Sequence, residues 1–125
     1  MGAGVLGSDV SVLKTSWPQP YGAARRGQEP AGRYEGDGDT LPEQFATALG
    51  NLLTALRAAG GSPAGLARGT VYATDVADHR AHAAGLGRIW RRLAGRDYPA
   101  VAVIGAVRLC DEQALVEIDG MAVLP

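Results

Sequence analysis

Residues 69–75 read Gly-Thr-Val-Tyr-Ala-Thr-Asp, a segment that combines the end of a β-strand with the start of a helix. Residues 69–74 are rich in β-branched and aromatic side chains, which favour the pleated, half-buried surface of a strand. Asp75 is a typical N-cap, since its carboxylate can accept a hydrogen bond from an amide of the first helical turn. We therefore predict a strand over 69–74 and a helix that starts after Asp75.

The helix after Asp75 is expected to continue to Gly95, with its apolar stripe formed by Val76, Ala83, Leu86, Ile89, Trp90 and Leu93. We place Trp90 in the core of this helix packing. Gly85 and Gly87 cost about 1 kcal/mol each relative to Ala inside a helix. Two such residues predict close packing against a neighbouring backbone.

An earlier helix is predicted between Thr40 and Gly60. Thr40 and Glu43 have the spacing of a capping box, in which each side chain accepts from the other residue's backbone amide. The pair Gly60-Gly61 provides a left-handed stop. One apolar stripe runs along the helix, formed by Phe45, Leu49, Leu52, Leu53 and Leu56.

Two strands are predicted after Gly95. Residues 100–107 follow Pro99 as an apolar run with almost no alternation, which predicts a strand buried on both faces. Residues 114–123 form the last strand, in which Glu117 and Asp119 point to the same side.

The first 39 residues carry weaker signals. Alternation over 10–13 predicts a short strand, 21–25 is a candidate second strand, and 32–39 is expected to be a loop. The whole order predicts an α+β fold with two helices packed on one face of a mixed sheet. Because the other face needs a cover, this pattern also predicts oligomerisation.

Composition restricts the class of protein. The 125 residues are expected to form one domain, 1–125. The net charge of −1 gives no global case for nucleic acid or an anionic membrane as partner. We see neither a secretion signal nor an apolar run of about 20 residues, and Cys110 is the single cysteine, so we expect a cytoplasmic protein without a metal site. Lys14 is the single lysine among twelve basic residues, a bias typical of a GC-rich bacterial genome.

Residues 40–125 resemble the RidA/YjgF family in the order and spacing of several short motifs. These motifs are the junction at 69–75, Tyr98-Pro99-Ala100 before the apolar strand, and the closing strand Ala114-Leu-Val-Glu-Ile-Asp119. Arg26-Gly27-Gln28 resembles the family's Ser-Gly-Gln, and the segment 1–25 matches poorly. The resemblance implies a homotrimer around a barrel-like core of the chorismate mutase-like type.

The resemblance also implies ligand clefts between subunits and the hydrolysis of imines or enamines without a metal or organic cofactor. An arginine of the family holds the substrate carboxylate, and this chain has Val101 at that position. A family cysteine corresponds to Val103, and an asparagine corresponds to Ala83. We therefore hypothesise that the ligand lacks a carboxylate at that position, or that the protein has no deaminase substrate.

The remaining candidate site residues are Arg26, Gln28, Tyr21 and Glu117. Arg26 is either a replacement cation in the cleft or a solvated strand-edge residue. Gln28 matches the family, and Tyr21 is a candidate for a family tyrosine. Glu117 matches the family's glutamate and is expected beside Val101 and Val103, where desolvation would raise its pKa. Its alternative is a strand-face carboxylate paired with an arginine such as Arg108.

Other reactive side chains have simpler interpretations. His79 and His82 share one helix face, and we expect a solvated face rather than a metal site there. Arg88, Arg91, Arg92 and Arg96 are expected to be a solvated basic surface that complements the helix dipole, not an RNA site. Tyr72 is expected in the core or an interface, and Cys110 is expected to be a structural thiol.

Two functions follow from this sequence. The first is a diverged RidA-like enzyme that acts on an imine, enamine or related intermediate in specialised biosynthesis, by hydrolysis, tautomerisation, condensation or cyclisation. Glu117 would transfer protons in that enzyme. The second is a non-catalytic module that binds a small metabolite or serves in assembly.

Overall fold

The computed structural model describes residues 10–15 and 40–125, so the predictions for 21–25 and 32–39 lie outside the described residues. Within these ranges the strands are β1 (Val10–Thr15), β2 (Leu66–Ala73), β3 (Ala100–Gly105) and β4 (Val116–Val123). The helices are α1 (Leu41–Ala58), α2 (Val76–Ala81) and α3 (Ala83–Ala94), with a 3₁₀ turn at Pro63–Gly65.

The four strands form one mixed sheet in the order β1-β4-β2-β3. β4 pairs antiparallel with both β1 and β2, whereas β2 and β3 are parallel. The parallel pair is joined by α2 and α3, which is the crossover that parallel neighbours require. This arrangement confirms the predicted α+β fold, and it confirms the strand predicted at 10–13.

α1 lies where its capping signals predict. The Glu43 amide donates to Thr40 Oγ1 at 3.3 Å, and the Thr40 amide donates to Glu43 Oε1 at 3.2 Å, which completes the capping box. At the other end Gly60 has φ of 93°, the left-handed conformation that stops the helix. The apolar stripe of α1 is buried, and it packs against β4 and α3.

A buried glutamine attaches α1 to the chain before β4. Gln44 is 3% exposed. Its Nε2 donates to the carbonyl of Gln113 at 3.2 Å, and its Oε1 accepts from the amide of Leu115 at 2.7 Å. Gln113 and Leu115 lie just before β4 and outside helices and strands, so their backbone groups need such partners. The two bonds therefore fix the position at which β4 enters the sheet.

The prediction of one continuous helix from Asp75 to Gly95 is wrong. The helix divides at His82, which has φ of −99° and ψ of 8° and separates α2 from α3. The His82 Nδ1 lies 3.0 Å from the carbonyl oxygen of Asp78 and 3.0 Å from its carboxylate. The backbone amide of His82 also donates to the Asp78 carbonyl, at 3.1 Å, so the imidazole and the amide share this oxygen at the point where the helix divides.

The prediction that residues 100–107 are buried on both faces is also wrong for the single chain. β3 ends at Gly105, and all six of its residues are exposed. The reason is its place in the sheet, since β3 is an edge strand with β2 as its neighbour. Val101, Val103 and Ile104 are 44, 42 and 47% exposed.

In the described part of the chain, no helix has both the length and the apolar character that a membrane span needs.

Candidate functional site

The helices and β3 enclose a cleft of about 210 Å³ in the described structure. Three residues that the sequence analysis assigned to the ligand site line this cleft together: Ala83, Val101 and Val103. Three aromatic residues, Phe45, Trp90 and Tyr98, are also part of its wall. The β2–α2–α3–β3 crossover brings Ala83 together with Val101 and Val103, which lie 18 and 20 positions later in the sequence, and α1 adds Phe45.

The strand register places the two valines on the helix side of the sheet. Val103 pairs with Val71 of β2, and Val71 pairs in turn with Ile118 of β4. Directly paired residues project to the same face of a sheet. Val71 and Ile118 are buried at 3 and 2% exposure in the core beneath the helices. Val103 therefore faces the helices, and so does Val101, two residues earlier.

Trp90 and Tyr98 form one wall of the cleft. Their rings stack with centroids 5.8 Å apart and an interplanar angle of 23°. The Trp90 Nε1 donates to the carbonyl of Asp97 at 3.1 Å, which holds the indole in place. Trp90 is 7% exposed, as expected for the helix core, while Tyr98 is 53% exposed.

The glycines of α3 leave space, which corrects the prediction of close packing against a backbone. A Cβ added at Gly87 would meet no described atom within 4 Å, and one at Gly85 would approach the flexible guanidinium of Arg88 at 3.6 Å. Gly87 lines the cleft and shares a helical face with Ala83 and Trp90. Its missing side chain therefore widens the cleft.

His79 is the site residue that the sequence analysis missed. It lies in α2 and lines the cleft together with Ala83, the first residue of α3. Its ring makes an edge contact with Phe45, with centroids 6.5 Å apart. Its Nε2 is buried and has no hydrogen-bond partner in the described structure. No spacing rule indicates this position, because the helix divides at His82 between His79 and Ala83.

Burial lowers the pKa of His79 below its ordinary value of 6.5, although the neighbouring carboxylate of Asp78 opposes this shift. The imidazole is therefore neutral at pH 7 and has one donor and one acceptor nitrogen. Leaving such a buried nitrogen without a partner costs about 1–3 kcal/mol.

Glu117 does not lie beside Val101 and Val103, so that expectation is wrong. Its neighbours Val116 and Ile118 are buried beneath the helices, and alternation along β4 directs Glu117 to the opposite face. There it is half-buried and pairs across the strands with Tyr72. Arg108, the arginine suggested above as a partner of Glu117, has its Nη1 3.4 Å from the carboxylate of Glu112.

Tyr21, Arg26 and Gln28 lie outside the described residues. No group of three metal-binding side chains occurs among the described residues, which include His79 and His82. The arginines of α3 are exposed, as expected for a solvated surface; they are Arg88, Arg91 and Arg92. Cys110 is also exposed.

The fold and the cleft define a small α+β protein with a ligand-sized apolar site between a helix and an edge strand. The family model described as endoribonuclease L-PSP matches residues 24–124 of the chain. The chain belongs to this family, which is the RidA/YjgF family that the motifs indicate. A comparison with curated proteins finds no match.

Solved structures share the fold. The "putative endoribonuclease L-PSP" of Entamoeba histolytica is 30% identical, with a TM-score of 0.61 over 70% of this chain and 66% of that chain. A YjgF-family protein of Mycobacterium tuberculosis is 23% identical, with a TM-score of 0.63 over 91% of this chain and 100% of that one. Escherichia coli TdcF "with bound serine" is 23% identical, with a TM-score of 0.62 over 70 and 68%. The chain spans just under two thirds of the first two matching structures, 66 and 65%.

The lowered pKa of His79 predicts how stability depends on pH. Above about pH 6.5 both the folded and the unfolded chain hold a neutral imidazole. As the pH falls below that value, the unfolded chain takes up a proton first, so the free energy of unfolding decreases until the lower pKa of the folded state is reached. His79→Phe is expected to flatten this dependence between roughly pH 7 and 5, measured by urea unfolding.

The matched control for that measurement is His82→Gln, which removes the other histidine of the chain and keeps His79. It should retain the larger part of the decrease that the wild type shows. An unchanged pH dependence in His79→Phe would contradict the assignment of a buried neutral imidazole.

Proposed function

We propose that the protein binds a small, largely apolar molecule in the cleft between α3 and β3. The observation that carries this proposal is the convergence of Ala83, Val101 and Val103 with three aromatic residues around one open space. The volume suits a single substituted ring, because an apolar cavity of about 150 Å³ holds a benzene molecule. Membership of the L-PSP/YjgF/Rid family supports a role in binding or processing small molecules.

We further propose that the chain assembles as a homotrimer in which β3 lies at a subunit interface beside the cleft. β3 presents exposed apolar side chains, and its outer edge has backbone groups that pair with no described strand. Such an edge is a template for pairing or must be covered. A neighbouring subunit would bury the exposed apolar side chains of residues 100–105, as their uninterrupted apolar run predicts.

The trimer predicts a mass of three times 12.9 kDa by light scattering after size exclusion. Ile104→Glu, which puts a carboxylate on exposed apolar β3, should shift the protein to smaller species. Thr54→Glu, an equal change on the exposed side of α1, is the control and should keep the trimer. A wild-type monomer would refute the assembly.

Filling the cleft tests whether it binds small molecules. Gly87→Leu is expected to occupy the cleft and to abolish ligand-induced shifts of the Val101 and Val103 amide signals in NMR titrations. Gly50→Leu is the matched control, since its Cβ also meets no described atom within 4 Å and Gly50 lies away from the cleft. Both changes replace a helical glycine and should raise stability by up to about 1 kcal/mol.

The titration uses benzamide, benzoate and toluene as ring-sized probes. Shifts that are confined to the cleft, lost in Gly87→Leu and kept in Gly50→Leu support the proposal. Absence of shifts at Val101 and Val103 with every probe would overturn it.

The second candidate function is enzymatic, and the neutral imidazole of His79 in the cleft favours it. In this function the protein hydrolyses an imine or a related enamine: water adds across the C=N bond, and the carbon–nitrogen bond then breaks to leave a carbonyl compound and ammonia. A neutral imidazole can accept the proton of the attacking water. Glu117 remains a proposed proton-transfer group, and from the opposite face of the sheet it would act in a separate interface site.

An assay with two imines distinguishes the contributions of His79 and Glu117. One substrate is the imine of acetophenone, and the other is 2-iminopropanoate, which an amino-acid oxidase generates in the assay. The wild type is expected to accelerate release of the carbonyl compound, and loss of the acting base should reduce the rate by about 10²–10⁴-fold. A loss confined to His79→Phe locates the chemistry in the cleft, and a loss confined to Glu117→Gln locates it on the open sheet face. No acceleration with either imine would refute the enzyme and leave the binding function.

A further inference from the structure

The described wall of the cleft contains no arginine or lysine that could neutralise an anion. Among the described residues that line it, none is an arginine, a lysine, an aspartate or a glutamate. The polar atoms of its wall belong to Trp90, Tyr98 and His79. The Trp90 nitrogen is already used by the carbonyl of Asp97, and Tyr98 is more than half exposed. The imidazole of His79 is therefore the main polar group available to a buried ligand.

One nitrogen of the His79 imidazole lacks a hydrogen-bond partner among the described residues. Its Nε2 is buried, and no described group bonds to it. A rotation of 180° about the Cβ–Cγ bond exchanges the positions of Nε2 and Cε1. The ring can therefore hold Nε2 at either of these two positions. A neutral imidazole offers one donor and one acceptor, which suits an amide, hydroxyl or carbonyl group.

We propose that His79 is the specificity-determining residue of the cleft and that the ligand is a neutral, ring-sized molecule with one polar group that hydrogen-bonds to the His79 imidazole. This inference rests on the proposed binding function and names the chemical class of its ligand. The ring of the ligand lies against Val101, Val103 and the stacked pair of Trp90 and Tyr98. Its polar group lies at the α2 end of the cleft, beside Phe45 and Ala83.

The described lining of the cleft disfavours a carboxylate ligand. A buried anion needs a cation or several donors to replace its hydration, and the described wall of the cleft provides neither. The alternative of a protonated His79 as the counter-charge is opposed by its burial beside Phe45 and the valines. Asp78 is the charged neighbour on its own helix, and the parts of α1, β2 and β3 that line the cleft add no titratable group.

The experiment compares three probes of one ring size by NMR titration of the whole chain: benzamide, benzoate and toluene. In the wild type, benzamide is expected to bind at least about tenfold more tightly than benzoate, because the described wall offers no counter-charge for the buried carboxylate. His79→Phe keeps the shape of the aromatic wall and should weaken benzamide by about tenfold while leaving toluene unchanged. His79→Gln restores a hydrogen-bonding group without titration and should restore benzamide binding.

The outcomes separate this inference from the function on which it rests. If no probe shifts the amides of Val101 and Val103, both the binding function and the ligand class are overturned. If the probes bind but benzoate equals benzamide, or if His79→Phe leaves the ratio of benzamide to toluene affinity unchanged, the cleft binds ligands and the role of His79 is refuted. A wild-type preference for benzamide, lost in His79→Phe and regained in His79→Gln, establishes the role.

Discussion

The alternation of buried side chains along β4 is the constraint on which the rest of the structure depends. Val116, Ile118 and Ala122 are almost fully buried under the helices, and β4 pairs with both β1 and β2. A slip of one residue would exchange the two faces of the strand and expose this apolar set. The Gln44 side chain resists such a slip, because it holds the backbone of Gln113 and Leu115 at the start of the strand.

This constraint also decides the chemistry of the cleft. Because Ile118 lies in the core, Glu117 projects from the other face of the sheet. Ile118 pairs with Val71, and Val71 pairs with Val103, so all three side chains face the helices. The cleft is thus built from small and aromatic side chains with one neutral imidazole. The space at Gly87 and the hydrogen-bonded indole of Trp90 set the shape of this cleft.

Local signals in the sequence predict local structure well here, and contacts between elements less well. The capping box at Thr40 and Glu43, the left-handed stop at Gly60 and the alternation at Glu117 and Asp119 each depend on a few neighbouring residues, and all are confirmed. The apolar run of β3 predicts burial, yet only the strand order reveals that β3 is at an edge. The motif match brings Ala83, Val101 and Val103 together, while it misses His79, whose importance comes from burial and a missing partner.

The edge position of β3 in the described sheet has a consequence for a chain in which nothing covers this strand. Residues 100–107 contain no charge, and after Pro99 they form an apolar segment of the type that stacks into intermolecular β-structure. Pro99 and Arg108 flank the segment as a backbone breaker and a charge, the positions at which natural sequences place protection against aggregation. A chain with this edge uncovered is therefore exposed to aggregation during synthesis and dilution, and a cover on β3 would protect against it.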